Sequence, residues 1–339
     1  MGDPAGIGPE ICVRALADKR VLQSCTPVII GDKAAMESAL RTTGSDWSLK
    51  CLENPKQAKG QSGVVEYIDM NLLPPAGFAY GKVSADCGRA AFGYVKKVID
   101  LAMAQEVQGT VTGPINKEAM NLAGIHYSGH TEIFADLTST KSYAMMLLSD
   151  QLRVIHATTH VSMRRACDLI TKDRIYDVIM LSWQALRDLG IENPRIAVAG
   201  LNPHCSENGL FGSEEALEII PAIEEASLKG ILVTGPVPPD TVFVRALAGE
   251  FDVVVAMYHD QGHIPLKLCG FKVENGHYTS VSGVNFTVGL PIIRTSVDHG
   301  TAFDKAGKGT ANAESMVDAI LMAAKMAQSK ATHKDETVQ

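Results

Sequence analysis

Short apolar runs alternate with amphipathic segments along most of this chain, and this alternation constrains the fold more than any other feature. Residues 251–256 (FDVVVA) are rich in β-branched side chains without polar alternation, which indicates a buried parallel strand. Similar apolar runs occur at 26–31, 144–148, 152–157 and 195–199. Two segments, 90–107 and 168–189, have the 3.6-residue period of an amphipathic helix. The pattern predicts a three-layer α/β/α architecture with a largely parallel sheet.

Length and composition narrow the class of protein. The chain has 339 residues, enough for two domains, and a net charge of -7 with no basic block. This argues against a dedicated nucleic-acid or membrane-surface role. No apolar run reaches spanning length and no signal pattern opens the chain, so we expect a cytoplasmic protein. Its seven cysteines are scattered without a CxxC pair, which argues against a disulfide framework and a cysteine-built zinc site.

The opening residues, GDPAGIGPE from Gly2, predict a glycine loop that leads into a helix, with Pro9 and Glu10 in its first turn. The glycines match neither the dinucleotide fingerprint nor the P-loop. A plain strand-to-helix turn is an equally good interpretation. A loop of this kind normally follows a strand, and only Met1 precedes it here.

Three histidines, His160, His204 and His259, each stand just past a predicted strand. Ligands bind at the carboxyl ends of strands in open α/β sheets, and three imidazoles can hold one divalent cation with positions left open. Asp260 would be a further ligand or would support one. Spacing alone favours three unrelated strand-end histidines, because no close-spaced metal motif is present.

Positive side chains accompany these histidines. Lys267 and Arg294 stand on either side of Asn285, and His130 with Thr131 opens a predicted helix in the string GHTE. Together these groups could hold a phosphate or a carboxylate through charge-assisted hydrogen bonds. The alternatives are that His130 and Thr131 cap the helix and that the two cations form surface ion pairs.

Several longer strings occur in one order along nearly the whole chain: GDPAGIGPE, GPINKEA, SGHTE, ATTH, LNPH, GLFGSEE, DTVF, YHDQGHIPLK and GVNFTVGLPIIRTSVDHGTAFDKAGKG. In content and order they resemble the 4-hydroxythreonine-4-phosphate dehydrogenase family of vitamin B6 biosynthesis. The two ends separately resemble the isocitrate and isopropylmalate dehydrogenases. The resemblance implies the two-domain α/β/α fold of those enzymes, with the active site in the interdomain cleft. Residues 1–129 and 287–339 would form the cofactor-side domain, and residues 130–286 the central domain with metal ligands and dimer contacts.

The same resemblance implies a homodimer that shares each site between subunits and oxidises a phosphorylated hydroxy acid with NAD before decarboxylating it. A divalent metal (zinc, magnesium, manganese or cobalt) would be held by His160, His204 and His259. Substrate contacts would be His130, Thr131, Lys267, Asn285 and Arg294. The dinucleotide would lie against Gly6, Gly8, Asp298, His299, Gly300, Asp304 and Gly307. Asp260, Lys117 and water are the candidates for the general base.

These residue types suit that chemistry. A divalent cation bound to the substrate hydroxyl lowers its pKa, so that the alkoxide needed for hydride departure forms near neutral pH. The same cation stabilises the enolate left by decarboxylation. Positive side chains hold the phosphate, a non-reacting group whose binding orients the reacting carbon.

The substrate branch is suggested by His263 in HDQGHIPLK, which resembles the catabolic branch acting on D-threonate or D-erythronate 4-phosphate. Residues 272–282 form a longer segment than we expect and add His277. A third branch acts on cis-dihydrodiols of aromatic dicarboxylates such as terephthalate, but it departs at the GHTE and RTS strings that this chain retains. The rival hypotheses are a metal-dependent hydrolase or phosphatase with the same histidines, and a binding protein without turnover.

Overall fold

The structure is a computed structural model that describes residues 1–149, 151–274, 277–281 and 283–336, with side chains outside the description at 272–282 and from 332 onward. It forms two compact units. The first is Met1–Thr140 with Leu290–Gln328, and the second is Lys141–Gly289 with the residues from Ser329. The predicted α/β class is confirmed.

The first unit begins with ten α-helices and β-strands and receives two more from the end of the chain. In chain order they are α1 (Gly8–Leu16), α2 (Lys19–Ser24), β1 (Ile29–Gly31), α3 (Lys33–Thr43), β2 (Ser48–Cys51), β3 (Val64–Asp69), α4 (Ala85–Met103), β4 (Thr110–Thr112), α5 (Lys117–Leu122) and α6 (His130–Leu137). Strand β3 lies between β1 and β2 and is parallel to both. Their apolar side chains pack in a core with α1, α3 and α4.

The second unit follows. Its elements are β5 (Ala144–Leu148), β6 (Arg153–His156), α7 (Met163–Leu169), α8 (Lys172–Asp188), β7 (Ile196–Ala199), α9 (Ile220–Leu228), β8 (Val233–Val237), α10 (Val242–Leu247), β9 (Val253–Ala256), α11 (His259–Gly270), β10 (Phe271–Glu274), β11 (His277–Val281) and β12 (Val284–Val288). The chain then returns to the first unit with β13 (Arg294–Val297), which pairs in parallel with β4. The closing helix α12 (Glu314–Glu336) belongs to the first unit as far as Gln328.

The sheet of the second unit runs in the order β12-β5-β6-β9-β7-β8. Strands β6, β9, β7 and β8 are parallel, and β9 is buried along its whole length, as its apolar run predicts. Strand β5 is antiparallel to both neighbours, so the sheet is less uniformly parallel than we expected. The reason is the short connection from β5 to β6, which permits only an antiparallel pair.

The structure differs from the sequence-based expectation in two places. The single helix expected over 168–189 is two helices, because the Thr171 side chain accepts a hydrogen bond from Arg174 N and caps α8. His130 and Thr131, expected in the central domain, belong to the first unit, where Ile133 and Phe134 of the same helix are fully buried. His277 lies on β11, and its side chain is outside the described residues.

None of the helices in the described part of the chain combines the length and the apolar character that crossing a bilayer requires.

Candidate active site

Three candidate ligands follow three neighbouring strands of the second unit. Strand β9 pairs in parallel with β6 on one side and with β7 on the other. His160, His259 and His204 come a few residues after β6, β9 and β7 respectively. The carboxyl ends of parallel strands meet at one edge of a sheet, so the three histidines follow the same edge. This is the edge where open α/β sheets bind ligands.

Helix α11 begins at His259, directly after Tyr258 in extended conformation. The first turn therefore contains His259 and Asp260, and a carboxylate is favourable at this end of a helix. His259 Nδ1 lies 2.6 Å from Asp260 Oδ1. A carboxylate accepts hydrogen bonds, so Nδ1 carries a hydrogen, and Nε2 is the nitrogen left to face a metal or a substrate.

Four histidine rings, those of His156, His160, His259 and His263, lie together and form what we call the histidine cluster. The ring centroids of His160 and His259 are 5.7 Å apart, and those of His259 and His263 are 3.6 Å apart in a stacked arrangement. His156 is 4.7 Å from His263 by the same measure. The structure thus brings two of the three predicted ligands together and adds two histidines that we did not predict as site residues.

His204 lies on a separate turn at the same edge. Pro203–Glu207 is a 3-10 turn in which His204, Cys205 and Ser206 all have positive φ, at 51°, 56° and 67°. Consecutive residues other than glycine in this region cost about 1–2 kcal/mol each. Such a turn persists only where its surroundings hold it, and strain of this kind is concentrated at functional sites.

The buried carboxylate of Glu215 holds the His204 turn. It accepts hydrogen bonds from the backbone nitrogens of Leu201 and Asn202, at 2.8 and 2.7 Å, and from the Ser206 hydroxyl. Burial alone would raise the pKa of Glu215, but the hydrogen bonds from Ser206 and Asn202 outweigh it and hold that pKa below its usual value. Glu215 therefore stays ionised and fixes the turn.

Gln261 joins two of these strand ends. Met257 N donates to Gln261 Oε1 at 2.6 Å, and Gln261 Nε2 donates to Gly200 O at 2.8 Å. The first turn of α11 is thereby tied to the start of the loop that carries His204. The sequence analysis did not assign this role to Gln261, although its amide lies three residues after Tyr258 in the string YHDQG.

The two unpredicted histidines are uncharged in the folded protein. Burial lowers the pKa of His156 to about 3, with His263 adding to the effect, and burial lowers the pKa of His263 to about 4. The i, i+4 spacing of His259 and His263 is the pattern that could have revealed His263 as a neighbour, once a helix was expected there.

A buried cation and a helix start lie together in the first unit. Arg294 is only 1% exposed, donates from Nη2 to Thr112 Oγ1 at 3.2 Å, and stands 5.5 Å from the Phe134 ring centroid. Burial lowers its pKa to about 9, while the Glu132 carboxylate acts in the opposite direction. Arg294 remains a cation at neutral pH.

His130 opens α6 beside this arginine. The imidazole is half-buried, but its Nε2 is inaccessible to solvent and has no hydrogen-bond partner within the described chain. Burial, with Arg294 adding to it, holds the pKa of His130 well below its usual value. The N-cap is Gly129 and no side chain caps α6, so the capping role considered for His130 and Thr131 is wrong. A neutral imidazole, a guanidinium and a helix start together suit an anion.

The remaining predicted substrate and catalytic residues are divided between the units. Lys117 is the exposed first residue of α5, in the first unit. In the second unit, Asn285 lies on β12 opposite Leu147, and Lys267 lies in the last turn of α11, with Nζ 5.6 Å from the Phe271 ring centroid.

The two glycine-containing loops expected beside the dinucleotide pack against each other in the first unit. Ile7 N donates to Thr301 O at 3.0 Å, and a Cβ on Gly6 would stand 2.9 Å from that oxygen. The Glu10 carboxylate accepts from the backbone nitrogens of Gly307 and Gly309, at 2.6 and 3.1 Å. Gly8 begins α1, whereas Asp298, His299, Gly300 and Asp304 lie between β13 and Gly307.

The donor chemistry of the second unit suits a divalent metal, although the ligands are not gathered. Imidazoles, one of them fixed by a carboxylate, are typical ligands of zinc and related ions. In the ranges that the structure describes, no three His, Cys, Asp or Glu side chains are arranged to hold a metal ion. His160 and His259 are in ring contact, and His204 is the candidate that stands apart.

The histidine-rich sheet edge of the second unit offers donors that suit a metal, and the buried cation at a helix start in the first unit offers donors that suit an anion. Residues 23–323 match the family model described as pyridoxal phosphate biosynthetic protein PdxA. The chain belongs to the PdxA family.

Individual relatives agree with that membership. The D-threonate 4-phosphate dehydrogenase of Salmonella typhimurium is 47% identical over 329 residues, with 96% of this chain and 97% of the relative covered. The crystal structure of a 4-hydroxythreonine-4-phosphate dehydrogenase from Klebsiella pneumoniae has a TM-score of 0.84 at 45% identity, covering 97% and 98% of the two chains. That of a terephthalate 1,2-cis-dihydrodiol dehydrogenase from Burkholderia xenovorans has a TM-score of 0.65 at 29% identity, covering 96% of each. This chain is therefore a dehydrogenase.

Proposed function

We propose that this protein oxidises D-threonate 4-phosphate or D-erythronate 4-phosphate with NAD and then decarboxylates the product, using a divalent metal. The observation that carries the proposal is full-length similarity, at 47% identity, to a D-threonate 4-phosphate dehydrogenase. Similarity to the cis-dihydrodiol enzyme is lower, at 29% identity, which makes an aromatic dicarboxylate substrate the weaker candidate.

Arg294, His130 and Thr131 would bind the substrate phosphate. The supporting observations are the buried guanidinium and the solvent-inaccessible Nε2 of His130 at the start of α6. A neutral His130 can donate one hydrogen bond to a phosphate oxygen, and the guanidinium supplies charge and a planar set of donors. Lys267 and Asn285 would contribute further substrate contacts from the second unit.

His160, His204 and His259 would hold the metal. When bound, the cation supplies Lewis-acid chemistry, lowering the pKa of the substrate hydroxyl and stabilising negative charge on the product. The hydrogen bond between His259 and Asp260 supports a role for Asp260 in orienting this ligand, in preference to that of a general base. Lys117, which is exposed, and water then remain the candidates for the general base.

NAD would lie along the interlocked loops of the first unit, near Gly6, Gly8 and the residues from Asp298 to Gly307. Glu10 supports this assignment, because its two hydrogen bonds fix the backbone of the second loop against the start of α1. We further propose a cytoplasmic homodimer in which a partner subunit completes each site. The third metal ligand, His204, is the residue for which such completion matters most.

The direct test is NADH formation by the purified, metal-loaded protein with D-threonate, D-erythronate and 4-hydroxythreonine 4-phosphates. The expected result is turnover of one of the first two, with one carbon dioxide released for each NADH. A folded, metal-loaded sample that turns over none of the three contradicts the proposal. Phosphate release without NAD identifies the hydrolase alternative, and substrate binding by calorimetry without turnover identifies the non-catalytic one.

A further inference from the structure

One face of helix α11 carries three ionisable side chains at successive turns. His259, His263 and Lys267 are spaced four residues apart, which places them one above another along the helix. The outer two are the proposed metal ligand and a proposed substrate contact. The middle one, His263, is 8% exposed and has no role in the function proposed above.

Hydrogen bonds fix which ring nitrogen of His263 carries hydrogen. Its Nδ1 lies 2.9 Å from the backbone oxygen of His259 and 3.1 Å from Nε2 of His156. A carbonyl oxygen can only accept, so Nδ1 is the protonated nitrogen of His263. Nε2 of His156 is then an acceptor, and its Nδ1 carries the hydrogen that faces Met145 O at 3.3 Å. A chain of consistent donors thus runs from His263 into the core.

The core is shaped around this pair. His156 is fully buried on β6, and a Cβ at Gly262 would stand 2.4 Å from its Nε2. Contacts below 3 Å do not occur at a real Cβ, so glycine at 262 is the condition for the imidazole to lie against α11. A buried imidazole needs hydrogen-bond partners and space for its ring, whereas an apolar side chain at the same position would need no hydrogen-bond partner.

His263 does not have the geometry of a ligand for the ion that His259 would bind. The two rings are stacked with centroids 3.6 Å apart and planes 13° apart. Lone pairs of two parallel imidazoles point side by side, whereas ligands of one metal converge on a point. The His263 ring stacks on the His259 ring, and His263 Nδ1 donates to the backbone oxygen of His259. Both contacts restrict the orientation of His259.

We infer that His263, held by His156, is a positioning residue that fixes the ring of His259 from behind, while Asp260 fixes its Nδ1 from the side. Ring stacking and the hydrogen bond to the His259 carbonyl leave the imidazole one orientation, with Nε2 directed away from the Asp260 contact. Partners of this kind affect metal affinity about 10–100-fold. The inference rests on the proposed role of His259 as a metal ligand.

The experiment measures Co²⁺ affinity and the visible absorption spectrum of the Co²⁺-loaded full-length protein, without substrate. His263→Phe keeps an aromatic ring against His259 but removes the donor, and should weaken Co²⁺ binding about 10–100-fold and change the spectrum. His263→Asn places an amide nitrogen near the position of Nδ1 and should recover part of the affinity. His126→Phe, the same change at an exposed histidine, should bind Co²⁺ as the unmodified protein does.

The outcomes separate failure of the positioning role from failure of the proposed metal site. Unmodified Co²⁺ affinity in His263→Phe, or affinity in His263→Asn no better than in His263→Phe, overturns the positioning role. If the unmodified protein does not bind Co²⁺, or binds it equally well after His259→Ala, the proposed metal site fails and this inference fails with it. Should His263→Phe not fold, long-range ¹H–¹⁵N spectra of the unmodified protein still decide, because hydrogen on Nε2 of His263 or His156 contradicts the chain of donors.

Discussion

At the scale of single residues, Arg294 is the most demanding side chain of the first unit. A guanidinium that is 1% exposed loses its hydration, and this loss is the cause of its lowered pKa. A partner or a ligand that binds a planar cation can offset this loss of hydration. The Glu132 carboxylate meets part of that need, and the proposed substrate phosphate would meet more of it.

Replacing Arg294 by lysine tests this residue. The change keeps a positive charge but removes the planar set of donors, so kcat/KM for the phosphorylated substrate should fall on the order of 10²-fold. Steady-state kinetics with NAD and metal in excess give the ratio. Arg245→Lys, made at an exposed arginine that pairs with Glu250, is the matched control and should change little. Equal activities of the two variants would contradict a phosphate role for Arg294.

His130 gives a prediction for the pH dependence of stability. Its pKa in the folded protein lies well below the usual value near 6.5, so the unfolded chain binds a proton that the folded protein does not as pH falls below that value. Stability conferred by neutral His130 is therefore present above about pH 6.5 and is lost as pH falls toward 5.

The measurement compares urea unfolding of the unmodified protein and His130→Phe at pH 7 and pH 5. The unmodified protein should lose about 1–2 kcal/mol more than the variant over this interval, since each pH unit is worth up to about 1.4 kcal/mol for one group. His126→Phe is the control for an exposed histidine and should follow the unmodified protein. Parallel losses in all three proteins would mean that His130 titrates normally.

At the scale of elements, the strands were predictable because buried β-branched runs have few alternatives. Residues 251–256 contain β9, and 144–148 is β5. The helix at His259 was not predicted, because glycine and proline within 259–270 disfavour a helix and the tertiary contacts of Gln261 and His263 override that preference. The division at Thr171 depends on one side-chain cap, which a periodicity argument does not detect.

Some residues of the candidate site could likewise be identified from the sequence, and others could not. His160 and His259 were identified from their positions after strands, and the structure brings their rings together. His156 and Glu215 were not identified as site residues, since their roles depend on contacts that link distant parts of the chain. Nothing in the local sequence around Glu215 distinguishes a carboxylate that holds a turn from one that faces solvent.

The His204 turn provides a prediction at this scale. Glu215→Gln replaces a carboxylate that only accepts with an amide that also donates, next to the backbone nitrogens of Leu201 and Asn202. The free energy of unfolding should fall by about 1–3 kcal/mol. Co²⁺ affinity should fall as well if His204 is a ligand. Chemical denaturation measures the first effect, and Glu224→Gln, at an exposed position on α9, should change stability by less than about 0.5 kcal/mol.

Gly262 provides a second prediction for α11. A methyl group there would stand 2.4 Å from His156 Nε2 and 2.6 Å from Val154 Cγ1, so Gly262→Ala should destabilise the protein by about 1–3 kcal/mol. Thermal and urea denaturation measure this change. Gly300→Ala is the control, because a Cβ there meets nothing within 4 Å. A Gly262→Ala protein as stable as the control would show that His156 does not lie against the helix.

At the scale of the whole molecule, the residues of the proposed function are distributed over two compact units. His130, Thr131, Lys117, Arg294 and the glycine loops belong to the first unit, while the histidines, Asp260, Lys267 and Asn285 belong to the second. Each unit by itself presents only part of the chemistry.

Mixing two inactive variants tests sharing between subunits. His204→Ala and Lys267→Ala would each be inactive alone. If the two residues of one site come from different subunits, mixed dimers regain one intact site, and random exchange restores about a quarter of the unmodified activity. Activity is followed as NADH formation after subunit exchange at low protein concentration. No recovery, with exchange verified by mass spectrometry, would place both residues of a site in one subunit.

The close approach of Gly262 to the His156 ring has a consequence for how this enzyme can change over evolution. A side chain at position 262 can be accepted only if position 156 gives up its imidazole for something smaller, and a histidine at 156 is accepted only beside glycine. The residues allowed at these two positions, which lie on separate secondary-structure elements, are therefore coupled. Homologous chains with a side chain at 262 should lack histidine at 156, and directed evolution that replaces Gly262 should select smaller residues at 156 and 154.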